Sequence, residues 1–339
     1  NVKLDSYFNL KKNIKLNISS SSEDLISING NIELIEKNVL NFNNIYFFNT
    51  DNVDIALNGS LKNKKLIAKL SGNYIDLSKN IIKINDKLRD YYFKSEQYEI
   101  TSKAAHLNGD IFVDDISINI DKKKNMIKVQ SSGYSKGTYF DYIREKNTKS
   151  DVSIINSENI INTVGPKHSS RELIKYGEAT VSSYREIGSL DSNIEIDLRN
   201  FILINTPATL KLLSMPSFSG LNSALNNESG IEFAYGKLTY KVNDISYSDI
   251  NAFAVNDGIG LIINGNIDRK NKDLNLEGQI SPLHLVSGMI QKIPFFGKIL
   301  IGNDGEGIVA VEYSMSGDLN NPDVSSNPLT IFKPRLFQR

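Results

Sequence analysis

Apolar and polar residues alternate with a period of two along almost the whole chain, and this pattern restricts it to β-sheet. The alternation is clear at Ile14, Leu16 and Ile18, at Ile26, Ile28, Ile32 and Leu34, and at Val53, Ile55 and Leu57. It returns at Ile116, Ile118 and Ile120, at Ile194, Ile196 and Leu198, and at Val309, Val311, Tyr313 and Met315. Successive side chains of a strand point to opposite faces, so each segment has one apolar and one polar face. Strands of this kind belong to antiparallel sheets with one face wet. The expected fold is therefore mainly β: an elongated, curved antiparallel sheet of repeated strands forming an apolar groove, with a few short helices near the C-terminal end.

A second regularity is laid over the first. Apolar–polar–Gly–polar–apolar recurs at Ile28–Ile32, Leu57–Leu61, Leu107–Ile111, Ile263–Ile267, Leu276–Ile280 and Met315–Leu319. Each glycine falls on the apolar face between two large side chains, where glycine marks a bend, a bulge or a close approach. Recurrence through the chain predicts one sheet bent along a common line, built from a reused unit. Charged, Asn-rich segments at 62–65, 121–125 and 269–273 read as hairpin turns. Short helices are expected after Ser157, after Thr206-Pro207, through Phe218 to Leu225, and most clearly from Ser281-Pro282 to Ile293. In the last, Leu285, Val286, Met289, Ile290 and Ile293 form one stripe, suited to packing on the sheet or plugging its end. The stretches Tyr91–Phe93 and Lys146–Ser150 fit neither pattern.

Composition narrows the function. Among 339 residues, Lys plus Arg and Asp plus Glu both number 39, for a formal net charge of +0. A nucleic-acid partner is not expected, because phosphate neutralisation calls for a basic excess. Cysteine is absent, which excludes disulfides and thiolate metal sites. No apolar run reaches the roughly 18 residues that a membrane-spanning helix requires. The chain opens in strand-like alternation with Asn1-Val2-Lys3-Leu4, so it reads as a fragment of something longer.

Candidate catalytic groups are few. His106, His168 and His284 lack metal-ligand spacing. Gly133-Tyr134-Ser135-Lys136-Gly137 matches a nucleophile-elbow pattern, which has meaning only on a strand–turn–helix in an α/β sheet. Here it follows a strand in an all-β run. The glycine-rich segment 302–307 lacks both the phosphate-loop lysine and the carboxylate spacing of a calcium loop. No catalytic, cofactor or metal residue is assigned, and the chain is not expected to be an enzyme.

From about Ile194 to Arg339 the chain resembles the C-terminal region of bacterial AsmA-like proteins. The resemblance is carried by Asn200-Phe201-Ile202-Leu203-Ile204-Asn205-Thr206-Pro207-Ala208 and by Leu212 through Gly220. It continues through Gly230-Ile231, Leu274–Gly278, Pro282, the run Ile293-Pro294-Phe295-Phe296-Gly297 to Gly302, and Gly305-Glu306-Gly307. Tyr313, Gly317, Asn321-Pro322-Asp323-Val324 and Asn327-Pro328-Leu329 close it. Residues 1–190 resemble, more loosely, the repeated β-strand groove region that precedes this module, which gives a division into 1–190 and 191–339. The resemblance implies a periplasmic protein of a Gram-negative envelope, anchored in the inner membrane by a segment outside this chain. It also implies phospholipid carried towards the outer membrane without catalysis or cofactor.

Residues and resemblance together predict a lipid-facing surface made of Ile28, Ile32, Leu57, Ile116, Ile118, Ile196, Leu261, Ile263, Leu274, Leu276, Val309 and Val311. The expected partners are phospholipid and membrane; the sequence identifies no envelope protein partner. Two other readings compete. In one, the chain is a structural or assembly factor for outer-membrane biogenesis and the apolar face is an ordinary core. In the other, it is a hydrolase using Ser135.

Overall fold

The computed structural model describes residues 2–8, 13–22, 25–35, 39–49, 53–76, 93–108, 111–159, 174–203, 230–256, 259–282, 308–319 and 321–332. These residues are strands and turns, and no helix occurs among them. The predicted helical segments fall mainly at 160–173, 204–229 and 283–307, outside the described residues. Ser281 and Pro282, expected to open a helix, instead end a strand.

The chain divides into two compact units, Asn1–Gly165 and Pro166–Arg339. The first holds β1 (Val2–Phe8), β2 (Asn13–Ser22), β3 (Leu25–Ile35), β4 (Val39–Asn49), β5 (Val53–Lys62), β6 (Lys65–Asp76), β7 (Ser95–Asn108), β8 (Ile111–Lys123), β9 (Met126–Ser135), β10 (Thr138–Lys146) and β11 (Ser150–Ser157). Each pairs with the next in sequence. All of these pairings are antiparallel except β6–β7, which is parallel. The sheet is therefore mixed, a departure from the antiparallel expectation. Alternation sets a strand's faces but not its direction. The long connection from 77 to 94 has the length that a parallel crossover requires. The unplaced stretch Lys146–Ser150 is the β10–β11 hairpin turn, closed by Asn147, whose backbone N–H donates to the Ser150 carbonyl at 2.9 Å.

The second unit holds β12 (Ile174–Lys175), β13 (Glu178–Glu186), β14 (Ser192–Leu203), β15 (Ile231–Val242), β16 (Ser246–Val255), β17 (Ile259–Asp268), β18 (Asp273–Pro282), β19 (Ile308–Asp318) and β20 (Asp323–Phe332). β12 and β13 pair with successive parts of β14, and β14 to β20 form an antiparallel meander.

Two local devices recur. The first is the close approach at glycine. A Cβ on Gly59, Gly265 or Gly278 would overlap a carbonyl oxygen of the adjacent strand, from Ile67, Asn275 and Ile262 respectively. The second is a bulge at an Asn or Asp with positive φ: Asn44 (50°), Asp115 (47°), Asn200 (51°) and Asp249 (51°). Asn and Asp tolerate this conformation better than other side chains. In two cases a cross-strand asparagine beside a pattern glycine accepts the bulge N–H: Asn58 from Asn44 at 2.8 Å, and Asn266 from Asp249 at 3.0 Å. Both devices curve a sheet, and the sheet in each unit is curved and open.

Candidate functional site: the inner face of the sheet

Register assembles the alternating residues into rows. In the second unit one row runs Val181, Ile196, Leu238, Ala252, Ile263, Gly278 and Tyr313 across β13 to β19. The next runs Ala179, Leu198, Gly236, Ala254, Leu261 and Ile280. Cross-strand pairs of this kind are the unit of sheet stabilisation. The opposite face carries Glu195, Thr239, Asn251, Asn264, Glu277, Ser314 and Ser325. That side is held by polar contacts such as Lys237 Nζ on Glu195 at 2.5 Å and the Ser314–Ser325 hydroxyl pair at 2.7 Å. The unit is thus apolar on one face and polar on the other.

The inner rows are unevenly covered. Ala179, Leu198, Ala254, Leu274, Ile280 and Tyr313 are buried, whereas Ile196, Leu238, Leu261, Ile263, Leu276 and Met315 are half-buried. Tyr313 lies across Gly278 and donates from its hydroxyl to the Ile262 carbonyl at 2.9 Å. Around it pack Ile280, Leu261, Ile263, Met315 and Val324. Substantial contacts within the unit are all between paired strands, so no second layer lies over these rows among the described residues.

The first unit differs. Ile45, Leu57, Leu70, Ile100, Ile118, Ser131, Tyr142 and Ile155 form one row, and Ile32, Phe42, Gly59, Ala68, Tyr98, Ile120, Val129, Arg144 and Ser153 another. Ile55, Ile75, Ile100, Ala105, Val113, Ile116, Ile118 and Phe140 pack into a buried cluster in which Ile116 is only 2% exposed. From β7 onward polar groups enter the inner face. Glu96 is buried, accepts from the Tyr98 hydroxyl at 2.5 Å and lies 4.0 Å from Lys122 Nζ. Arg144 grips buried Asp151 through two bonds, from Nε at 2.8 Å and Nη2 at 2.7 Å. The apolar surface is therefore uninterrupted from β3 to β6 and broken by charge from β7 to β11.

The predicted lipid-facing residues fall into three groups. Ile116, Ile118 and Leu274 are buried. Ile32, Leu57, Ile196, Leu261, Ile263 and Leu276 are half-buried. Ile28, Val309 and Val311 lie in β3 and β19, but their side-chain surroundings are outside the described residues, as is the stripe Leu285, Val286, Met289, Ile290 and Ile293. The bulges escaped sequence reading, although Asn44-Ile45, Asp115-Ile116 and Asp249-Ile250 share a signal, an Asx followed by an isoleucine that becomes buried.

The remaining candidates do not converge on a reaction centre. Ser135 ends β9 paired with Thr138 and is 2% exposed. His106 Nδ1 lies 3.4 Å from Asp76, and its ring stacks on Phe112. His168, His284 and segment 302–307 are outside the described residues. Among the described residues no group of three or more His, Cys, Asp or Glu could hold a metal ion. No described helix is long and apolar enough to cross a membrane.

Several tyrosines resist ionisation. Burial, and then the 2.7 Å hydrogen bond to Asp197, push Tyr235 up from 10.0 to about 12. Burial also raises Tyr240 and Tyr313. A phenol with a raised folded pKa keeps its proton while the unfolded chain loses its own, so its contribution is complete below about pH 10 and falls above it. The second unit should lose stability between about pH 10 and 12, and the phenolate absorbance of Tyr235, Tyr240 and Tyr313, the last to appear, should come together with loss of β-sheet circular dichroism. Smooth titration of every tyrosine near pH 10 in a folded chain would contradict this.

Searches against protein-family models, curated proteins and solved structures find no match to this chain.

Proposed function

We propose that this protein is a non-enzymatic lipid carrier that holds phospholipid acyl chains against the inner rows of an elongated apolar groove. The observation that carries the reading is the second unit's inner face: Ile196, Leu238, Leu261, Ile263, Leu276 and Met315, only partly buried, with a polar face behind them. Removing acyl chains from a bilayer is offset by burying them against such a face, at about 25 cal/mol per Å2. The resemblance of residues 194–339 to AsmA-like C-terminal regions supplies the setting: transfer between inner and outer membranes across the periplasm, with the parent anchored in the inner membrane. Native mass spectrometry of protein purified from membranes tests the reading. Phospholipid adducts are expected, and protein that never carries them would count against it.

The alternative is a structural or assembly factor for outer-membrane biogenesis, and one observation favours it for the first unit. There the inner rows already pack on themselves around Ile116 and then admit Glu96, Arg144 and Asp151.

On either reading the chain does no covalent chemistry. Ser135 is buried at a hairpin end, away from any approach a substrate carbonyl could make. Ser135→Ala is expected to leave lipid binding unchanged. A p-nitrophenyl ester hydrolysis that the purified chain supports and the variant loses would overturn the non-enzymatic assignment.

A further inference from the structure

The first unit segregates charge between the two ends of its strands. Four successive segments meet at one end: the β5–β6 turn, the start of β7, the β8–β9 turn and the β10–β11 turn. The parallel β6–β7 pairing makes this so, because it brings the start of β7 beside the start of β6 rather than at the far end. The Lys94 backbone N–H donates to the Lys64 carbonyl at 2.8 Å and fixes that junction. Seven exposed lysines stand here: Lys62, Lys64, Lys65, Lys94, Lys123, Lys124 and Lys149. Seven strands at about 4.8 Å spacing spread them over about 30 Å. Of the acidic groups near this end, Glu96 is engaged with Tyr98 and Lys122, Asp151 with Arg144, and Glu145 with Lys128, while Asp121, level with Lys128, keeps one buried carboxylate oxygen without a hydrogen-bond partner. The opposite strand ends carry Asp76, Asp114, Asp115 and Glu158 against Lys103 and Lys136. With a formal net charge of +0 for the whole chain, attraction to an anion arises from this local asymmetry and not from overall charge.

We infer that the lysine-bearing strand ends of the first unit dock the protein onto an anionic phospholipid bilayer. A row of cations about 30 Å long meets many headgroups of a charged plane at once. Immediately behind the lysines lie Leu61, Leu66 and Ile127, partly exposed at the border of the inner face. A nucleic-acid partner calls for a basic excess over the whole chain, which a formal net charge of +0 lacks. This docking does not require that acyl chains enter the groove, so it stands or falls separately from the carrier reading.

The experiment is flotation of the full chain with vesicles of phosphatidylglycerol and phosphatidylcholine, with phosphatidylcholine alone, and with a duplex oligonucleotide as competitor. Co-flotation with the anionic vesicles only, weakening as salt is raised, is expected. Lys123→Glu/Lys124→Glu should lower partitioning at least about tenfold, since each lysine near an anionic surface contributes separately. Lys270→Glu/Lys272→Glu, a matched reversal in the β17–β18 turn, should leave it unchanged. Lys94→Glu/Lys149→Glu repeats the test at other segments of the same end, should the first pair fail to fold. Equal partitioning of both Lys123/Lys124 and Lys94/Lys149 variants with the wild type, absence of flotation with anionic vesicles, or displacement by the oligonucleotide would each overturn the inference.

Discussion

Gly278→Ala is expected to destabilise the second unit by about 3 kcal/mol, near the upper end of what overpacking costs. The added methyl would overlap the Ile262 carbonyl oxygen on one side and fall 2.6 Å from Tyr313 Cζ on the other. Neither neighbour can yield freely. The carbonyl belongs to the β17 backbone and accepts from the Tyr313 hydroxyl, while the Tyr313 ring, 4% exposed, is wedged between Ile280 and its surroundings. Relief demands that β17 move away from β18 or that Tyr313 leave its site, and either change leaves a buried polar atom without its partner. Gly188→Ala is the control: φ is +94° there, but nothing lies within 4 Å of the new Cβ. Its cost is backbone strain alone, roughly 1–2 kcal/mol. Urea denaturation of the two variants separates the cases. A Gly278→Ala midpoint at or above that of Gly188→Ala would refute the close approach.

Ile116→Asp is expected to be the most damaging single change in the first unit, with a loss of about 4 kcal/mol or more. Ile116 follows the Asp115 bulge and packs with Val113, Ile100, Ile118 and Phe140 in the buried cluster. A carboxylate there would be stripped of water with no cation placed to receive it, and unpaired buried charge is among the costliest lesions available. Failure of Ile116→Asp to express as folded protein, or a melting temperature far below wild type, is the predicted outcome. A stable variant would mean that this face is open to water.

How much of this was legible in the sequence depends on the kind of fact. Strand positions were, because period-two alternation reports which residues share a face; Ile194, Ile196 and Leu198 fall in β14, and Ile116, Ile118 and Ile120 in β8. The glycine pattern was informative at Gly30, Gly59, Gly265 and Gly278, where backbone crowds the missing Cβ, but not at Gly317, where φ is +91° and only Asp323 Oδ2, at 4.0 Å, comes near. Gly133, Gly177 and Gly236 are crowded too, but their flanking residues do not fit the pattern. The parallel β6–β7 pairing was not legible, since strand direction depends on a connection and not on the strands. Nor was the contrast between Ile116 and Ile263. Both lie mid-strand on an apolar face, and alternation says nothing about what stands opposite that face. The charged groups Glu96 and Arg144 looked like ordinary members of a polar face until register set them beside Leu66 and Val129.

That contrast also gives the carrier reading its sharpest test. Ile263 sits in the apolar row between Ala252 and Gly278 and is half-buried. An aspartate there keeps part of its hydration while the groove is empty, so the expected loss of stability is modest, about 1–2 kcal/mol. Acyl chains resting on the same spot would instead have to cover a charge, which costs several kcal/mol. The deciding measurement is native mass spectrometry of wild type and Ile263→Asp purified from membranes, with thermal melting of both recorded alongside. The account predicts phospholipid on the wild type and folded Ile263→Asp without it. Phospholipid retained equally by the two proteins, or an Ile263→Asp chain that does not fold at all, would contradict it.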